Sequence, residues 1–313
     1  MNAQTEGHVM NIETARAERF KGTVAIFFTT HYQAEKRDWE TIEEVNGPYH
    51  PAAGYYRSDN PEIVKCQLHE MRRAGIDLIV YDAYGTYSMC PTDLATDRAL
   101  KVLVDELSHQ EHEPRKLKLV IYIEKYDSVP TREEYESALN FTRHNLAKCD
   151  FYFQYKGKPL VLLYLNGYPQ CLDDVEWSNN DFTFKRIRPF GDIDVWAYVS
   201  SYPQKLRRDW MPVSPGMDSA MESYYVEKKK NGKADWAVIQ KNAMRADRED
   251  GAYFQRQLRR ARLGDPDIIF ISGWNDWQWG THIEPAVEYG YKYLDLAAEL
   301  LGRWTETAKY RDQ

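Results

Sequence analysis

Short runs of consecutive apolar residues alternate along this chain with longer stretches whose apolar positions recur every three or four residues. The first run, residues 23–32 (TVAIFFTTHY), is β-branched and aromatic and predicts a strand. Residues 60–74 carry a helical stripe, with Asp59 or Asn60 as N-cap, Pro61 in the first turn and Gly75 at the stop. Residues 77–84 (DLIVYDAY) predict a second strand, 95–107 a helix, and 117–126 (LKLVIYIEKY) a third strand. Thr131 and Glu134 have capping-box spacing and open a helix that runs to about residue 147. Residues 160–165 (LVLLYL), announced by Gly157 and Pro159, predict the fourth strand. Residues 182–188, 195–200 and 210–213 are the expected fifth to seventh strands, and 253–263 is a helix. Residues 268–272 form the eighth strand and 287–301 the closing helix. Between 182 and 250 the periodicity is irregular, and Tyr224 and Tyr225 fall in a stretch without an assigned element.

Strands that read as unbroken apolar runs, spaced by helices, predict a parallel sheet covered on both faces. Eight such units predict an α/β fold, a single-domain (β/α)8 TIM-like barrel over 21–304, with an N-terminal extension (1–20) and a C-terminal tail (305–313). Any active site then lies on the loops that follow the strands. The alternative is an open doubly wound sheet; no glycine-rich phosphate loop follows any strand, which argues against a nucleotide-binding version.

Composition narrows the chemistry. With 313 residues and 43% hydrophobic positions the chain can bury a sizeable core. A net charge of −7 argues against a nucleic-acid partner, and the short basic runs at 207–208, 228–230 and 256–262 read as solvated helix faces. No apolar run approaches membrane-spanning length, so no membrane partner is expected. The N-terminus lacks a signal-peptide core, which leads to the expectation of a cytoplasmic protein, or a secreted or periplasmic one if a leader has been removed. Cys66, Cys90, Cys149 and Cys171 form no C-x-x-C pair and are expected to be buried and reduced. No metal-binding spacing and no cofactor motif is present, and the oligomeric state is open. Aromatic residues make up 14% of the chain, a supply that suits stacking on sugar faces as well as ordinary core packing.

The most informative stretch is SGWNDWQWGTHIEPAVEYGYKYLDLAAELL, residues 272–301. A strand ends at Ser272-Gly273 and releases a polar and aromatic loop at the expected catalytic face. Asn275 can hold a sugar hydroxyl, Asp276 offers a carboxylate, and Trp274, Trp277 and Trp279 offer ring faces. His282 and Glu284 follow, and Pro285 is expected to start the closing helix. Such convergence suits a carbohydrate site, although each residue could equally belong to a capping loop packed on the barrel rim. Other candidates sit at other strand ends: His31 and Tyr32 after the first, Asp82 and Tyr84 after the second, Glu124 after the third.

Residues 275–286 (NDWQWGTHIEPA) resemble the last-strand motif of glycoside hydrolase family 99, roughly N-E-W-x-E-G-T-x-I-E-P-A, and the related WbsX-like domains of polysaccharide gene clusters, which often continue with a pattern like Tyr289 to Leu294 here. The segment from His50 to Ile63, the triplet Tyr122-Ile123-Glu124 and residues 211–219 (MPVSPGMDS) are similar to further family segments, in the same order. The resemblance implies endo-acting cleavage of α-mannosides with retention. One glutamate of the motif deprotonates the substrate 2-hydroxyl, whose oxygen attacks the anomeric carbon to give a 1,2-anhydro sugar, while a second protonates the leaving oxygen. By position the first is Asp276, one methylene shorter. The second is Trp279, which cannot transfer a proton. The acid must then come from another strand end, with Glu124, Asp82, Asp218 or Glu284 as candidates, or the leaving group needs little assistance, or the protein is a non-catalytic or biosynthesis-associated glycan-binding barrel.

Overall fold

The computed structural model describes residues 19–32, 39, 42, 45, 49–83, 94–124, 130–164, 171–187 and 206–303. In chain order its elements are β1 (Thr23–Phe28), α1 (Pro61–Ala74), β2 (Leu78–Asp82), α2 (Leu94–Ser108), β3 (Lys118–Ile123), α3 (Arg132–Asn145), β4 (Gln154–Tyr155), β5 (Lys158–Tyr164), α4 (Leu172–Ser178) and β6 (Thr183–Ile187). They continue with β7 (Trp210–Val213), β8 (Met217–Asp218), α5 (Ala220–Asn231), α6 (Trp236–Asn242), β9 (Arg245–Ala246), α7 (Ala252–Leu263), β10 (Ile268–Ile271) and α8 (Lys292–Leu300).

The helix signals work as the side chains dictate. Asn60 Oδ1 accepts the Glu62 amide at 3.0 Å, Pro61 occupies the first turn, and Gly75 ends α1 in the left-handed region at φ 82°. Thr131 and Glu134 exchange both capping-box bonds at the start of α3.

The main sheet runs β6-β5-β3-β2-β1-β10-β7, every pair parallel, with the short β4 antiparallel on β5. The first strand pairs with the last, and among the described strands no order reversal marks a switch point, which argues against the doubly wound alternative. The sheet curls until its ends approach each other. Lys185 on β6 lies 3.5 Å from Asp209 beside β7, and the ring centroids of Tyr155 on β4 and Trp210 on β7 are 6.2 Å apart. Alternation sorts the strand residues onto two faces. Ala25, Leu78, Val80, Val120, Tyr122, Leu162, Trp210 and Phe270 fill the concave interior. Val24, Ile26, Ile79, Tyr81, Leu119, Ile121 and Ile269 face the helices.

Several expectations are corrected. The 182–250 region, read as irregular, contains α5, α6 and a two-stranded antiparallel sheet of β8 and β9, and Tyr224 and Tyr225 lie on α5. The closing helix starts at Lys292, because residues 285–291 form a turn bridged to Pro51. Cys66 is exposed and Cys149 and Cys171 are half-buried, so the expectation of four buried thiols fails for these three; Cys90 lies outside the described residues. The expected strand at 195–200 also lies outside them.

At the opposite end of the strands from the site, Arg303 donates to the carbonyls of Phe20, Gly22 and Gly75 and pairs with Asp77. A Cβ added at Gly75 would sit 2.7 Å from the Arg303 Cβ. Gly75→Ala therefore meets both a left-handed backbone and a clash, and should lower unfolding free energy by about 1–3 kcal/mol in urea titrations. An unchanged midpoint would mean that the α1 terminus relaxes freely.

Candidate active site

β10 ends at Ile271, and the loop that follows from Ser272-Gly273 is held from three sides. The Trp274 amide donates to the Phe27 carbonyl at 2.7 Å, extending the β1–β10 pairing by one step. Gly273 permits the tight return of the chain, since a Cβ there would lie 2.8 Å from Thr281 Oγ1 and 2.9 Å from the Asp276 Cβ. Asn275 is fully buried. Its Oδ1 accepts the Thr29 amide at 2.9 Å, and its Nδ2 donates to the Thr29 carbonyl at 2.8 Å and the Tyr56 hydroxyl at 3.1 Å. The Tyr32 hydroxyl, also buried, donates to the Asn275 carbonyl and accepts the Trp277 amide.

Glu284 anchors the far end of the loop. Its carboxylate accepts the Tyr56 hydroxyl at 2.8 Å, the Gln67 side-chain amide of α1 at 2.6 Å and the Trp277 indole N–H at 2.8 Å. Burial pushes this carboxyl up to about 7, against the pull of those three donors. Glu70 on α1 is also raised to about 7, first by burial and then by the charge of Glu284. Trp274 is buried in the helix-facing core, and Trp277 stacks on the His282 ring at 3.8 Å. Burial and the nearby Arg248 charge hold His282 well below the ordinary imidazole range.

Asp276 is placed differently. It is half-buried and accepts the Thr281 hydroxyl at 3.0 Å, and burial raises its carboxyl to about 7 while that bond and the Trp279 amide pull it down. Gln278 and Trp279, beside it, are also half-buried. Asp82 is the buried last residue of β2 and shares the interior face with Leu78 and Val80. Glu124, half-buried, follows β3 two residues after the interior Tyr122. Asp82, Glu124 and Asp276 thus stand along one rim of the curled sheet, where β2, β3 and β10 end.

The remaining candidates divide. His31 is half-buried, and burial lowers its imidazole to about 4, so it is neutral near pH 7. Asp218 caps the Ala220 amide at 2.9 Å and pairs with Arg245 at 3.0 Å, the turn role open to it from its sequence context. Tyr84 lies outside the described residues. Among those residues no group of three or more His, Cys, Asp and Glu side chains gathers as a metal ion requires. Sequence reasoning passed over Tyr56, Gln67 and Thr281, which hold Glu284 and Asp276. Gln67 had a signal: it is a polar residue inside the apolar stripe Val64, Leu68 and Met71.

This geometry can be set beside known proteins. The family model for the WbsX glycosyltransferases matches residues 229–297, which include the last-strand loop. The chain is 22% identical to the glycoprotein endo-alpha-1,2-mannosidase of Mus musculus and 21% identical to that of Rattus norvegicus. Both alignments cover 84% of this chain but only 64% of the rodent protein. Among solved structures, a family 99 endo-alpha-mannosidase from Bacteroides thetaiotaomicron, bound to bis-tris-propane, superposes with a TM-score of 0.61 at 15% identity, over 90% of this chain and 96% of that one. A glycoside hydrolase-like protein gives 0.56 at 14% identity, over 90% and 94%. The chain is thus distantly similar in sequence to the endo-alpha-1,2-mannosidases and similar in fold to the family 99 structures.

The Glu284 network makes a sharp test. Glu284→Ala leaves three buried donors unmet and should cost about 3 kcal/mol. Glu284→Gln should be tolerated, because Gln67 Oε1 has no hydrogen-bond partner and can turn to accept the new amide. A carboxyl raised from 4.5 to about 7 on folding makes the wild type lose stability as pH rises through that interval. The melting temperature of the Gln variant relative to wild type should therefore climb between about pH 5 and about pH 8. A constant offset would show that Glu284 is ionised throughout.

Proposed function

We propose that the protein is a glycoside hydrolase-like barrel that cleaves an α-linked, mannose-containing oligo- or polysaccharide. One observation carries this reading. In the loop after β10, Asn275, Trp277, His282 and Glu284 are buried, while the Asp276 carboxyl is left half-open at the rim, fixed by Thr281. Homology to endo-alpha-mannosidases supports the substrate class.

Asp276 acts as the base that activates the sugar 2-hydroxyl. Trp279 offers its ring to a sugar face in place of the acid that the family motif carries there. The proton for the leaving oxygen comes from Glu124 or Asp82, which the strand alternation directs to the interior side of the same rim. His31 borders that rim from beyond the end of β1. A glycan-binding role in polysaccharide biosynthesis is the second reading, favoured by Trp279 at the acid position and by the match to the WbsX glycosyltransferase model.

Asp276→Asn should abolish hydrolysis of α-linked manno-oligosaccharides with no loss of melting temperature, and wild-type kcat/KM should rise as pH passes through about 7 and Asp276 loses its proton. Activity retained within a few-fold would remove Asp276 from the mechanism. Glu124→Gln should lower kcat by about 10²–10⁴-fold on natural glycans and far less on activated aryl glycosides, which need no proton. An equal loss on both would make Glu124 a binding residue. Trp279→Ala should weaken glycan affinity by about 1–3 kcal/mol. A wild-type enzyme inert toward every α-linked glycan, yet binding them, would favour the second reading.

A further inference from the structure

A cavity of about 300 Å³ opens between the last-strand loop and the two-stranded β8–β9 sheet. Asp82, Glu124 and Asp276 do not line it. Its wall includes Tyr49, Met217 and Trp277, and two buried polar side chains, Arg248 and His282, reach it.

Both carry polar atoms that the protein leaves unused. Arg248 Nη2 donates to the carbonyls of Gly280 and His282, each at 2.9 Å, and the guanidinium lies 4.8 to 5.6 Å from the ring centres of Tyr293, Tyr49 and Tyr289. Its Nη1 has no partner, and among the described residues no carboxylate stands within ion-pair distance. The Asp276 carbonyl approaches the His282 ring, yet neither ring nitrogen has an aligned hydrogen bond. Held neutral, His282 keeps one N–H and one lone pair. Two acids, Asp218 and Asp247, also line the cavity, but both are engaged elsewhere: Asp218 accepts the Ala220 amide and pairs with Arg245. Asp247 is exposed and takes the Glu249 amide at 2.5 Å.

A buried guanidinium without an anion is costly, and the tyrosine faces and two carbonyls compensate it only in part. The unmet Arg248 Nη1–H and the His282 N–H together call for an acceptor of negative charge. Aromatic and thioether walls suit the body of a ring that carries it. We infer that this cavity binds the anionic group, carboxylate or phosphate, of an acidic sugar, with Arg248 and His282 as its donors. The choice of a sugar as carrier rests on the glycan reading above; the preference for an anion does not.

The test is calorimetric titration of the full chain with glucuronate, glucose 1-phosphate and glucose. At least one acid should bind, at least about tenfold more tightly than glucose, and the one that binds distinguishes carboxylate from phosphate. Arg248→Gln should abolish the preference. Because Arg248 also tethers the loop, a second readout uses the wild type: the imidazole ¹⁵N resonances of His282 should move on adding the bound acid and stay in place with glucose. Glucose binding as well as both acids, no binding by either acid, or binding that leaves His282 unmoved would overturn the inference. Turnover of α-linked mannosides in the same samples separates the two proposals: acid binding without turnover counts against the hydrolase alone, turnover without acid binding against this site alone.

Discussion

Asn275 joins the end of the first strand to the end of the last through paired bonds to the Thr29 backbone, and Glu284 ties the same loop to α1 through Gln67. Tyr56 touches both, donating to Glu284 and accepting from Asn275. All of these groups are out of water, where an unmet partner costs about 1–3 kcal/mol. The loop after β10 is therefore confined to one conformation, and the position of Asp276 follows from it. Gly273 and Thr281 are the finer constraints, one leaving room for the chain's return and the other fixing the carboxyl by its hydroxyl.

Two carboxylates of this loop reach a similar proton affinity in different surroundings. Burial raises both Asp276 and Glu284 to about 7. Glu284 meets three donors and is closed to solvent, so its charge state bears on stability. Asp276 meets the Thr281 hydroxyl and the Trp279 amide and is only half-buried.

Much of the architecture was legible in the sequence because it rests on local signals. The Thr131–Glu134 box, the Asn60-Pro61 start and the Gly75 stop each produced the bonds or backbone angles expected of them. Unbroken apolar runs marked β2, β3, β5 and β10. The α5–α6 region was opaque because α5 has no coherent apolar face: Tyr224 is buried, Val226 is exposed, and three lysines crowd its end. Within the last loop, read locally, polar and aromatic residues have equal claim to a ligand. Only the tertiary partners, Thr29, Tyr56 and Gln67, all more than 200 positions away, distinguish Asn275 and Glu284 as framework. The buried, unpartnered nitrogens of Arg248 and His282 had no sequence signal, since nothing local marks a missing hydrogen bond.

The central claim is that this frame presents Asp276 to a glycan as a carboxyl that titrates near neutrality. Carboxyl ¹³C NMR of aspartate-labelled protein, with Asp276→Asn used to assign the resonance, measures this directly with and without an α-linked mannobiose. The account expects a midpoint near 7 that shifts when the disaccharide is added. An Asp276 midpoint in the ordinary carboxylate range, or one indifferent to the sugar, would contradict it.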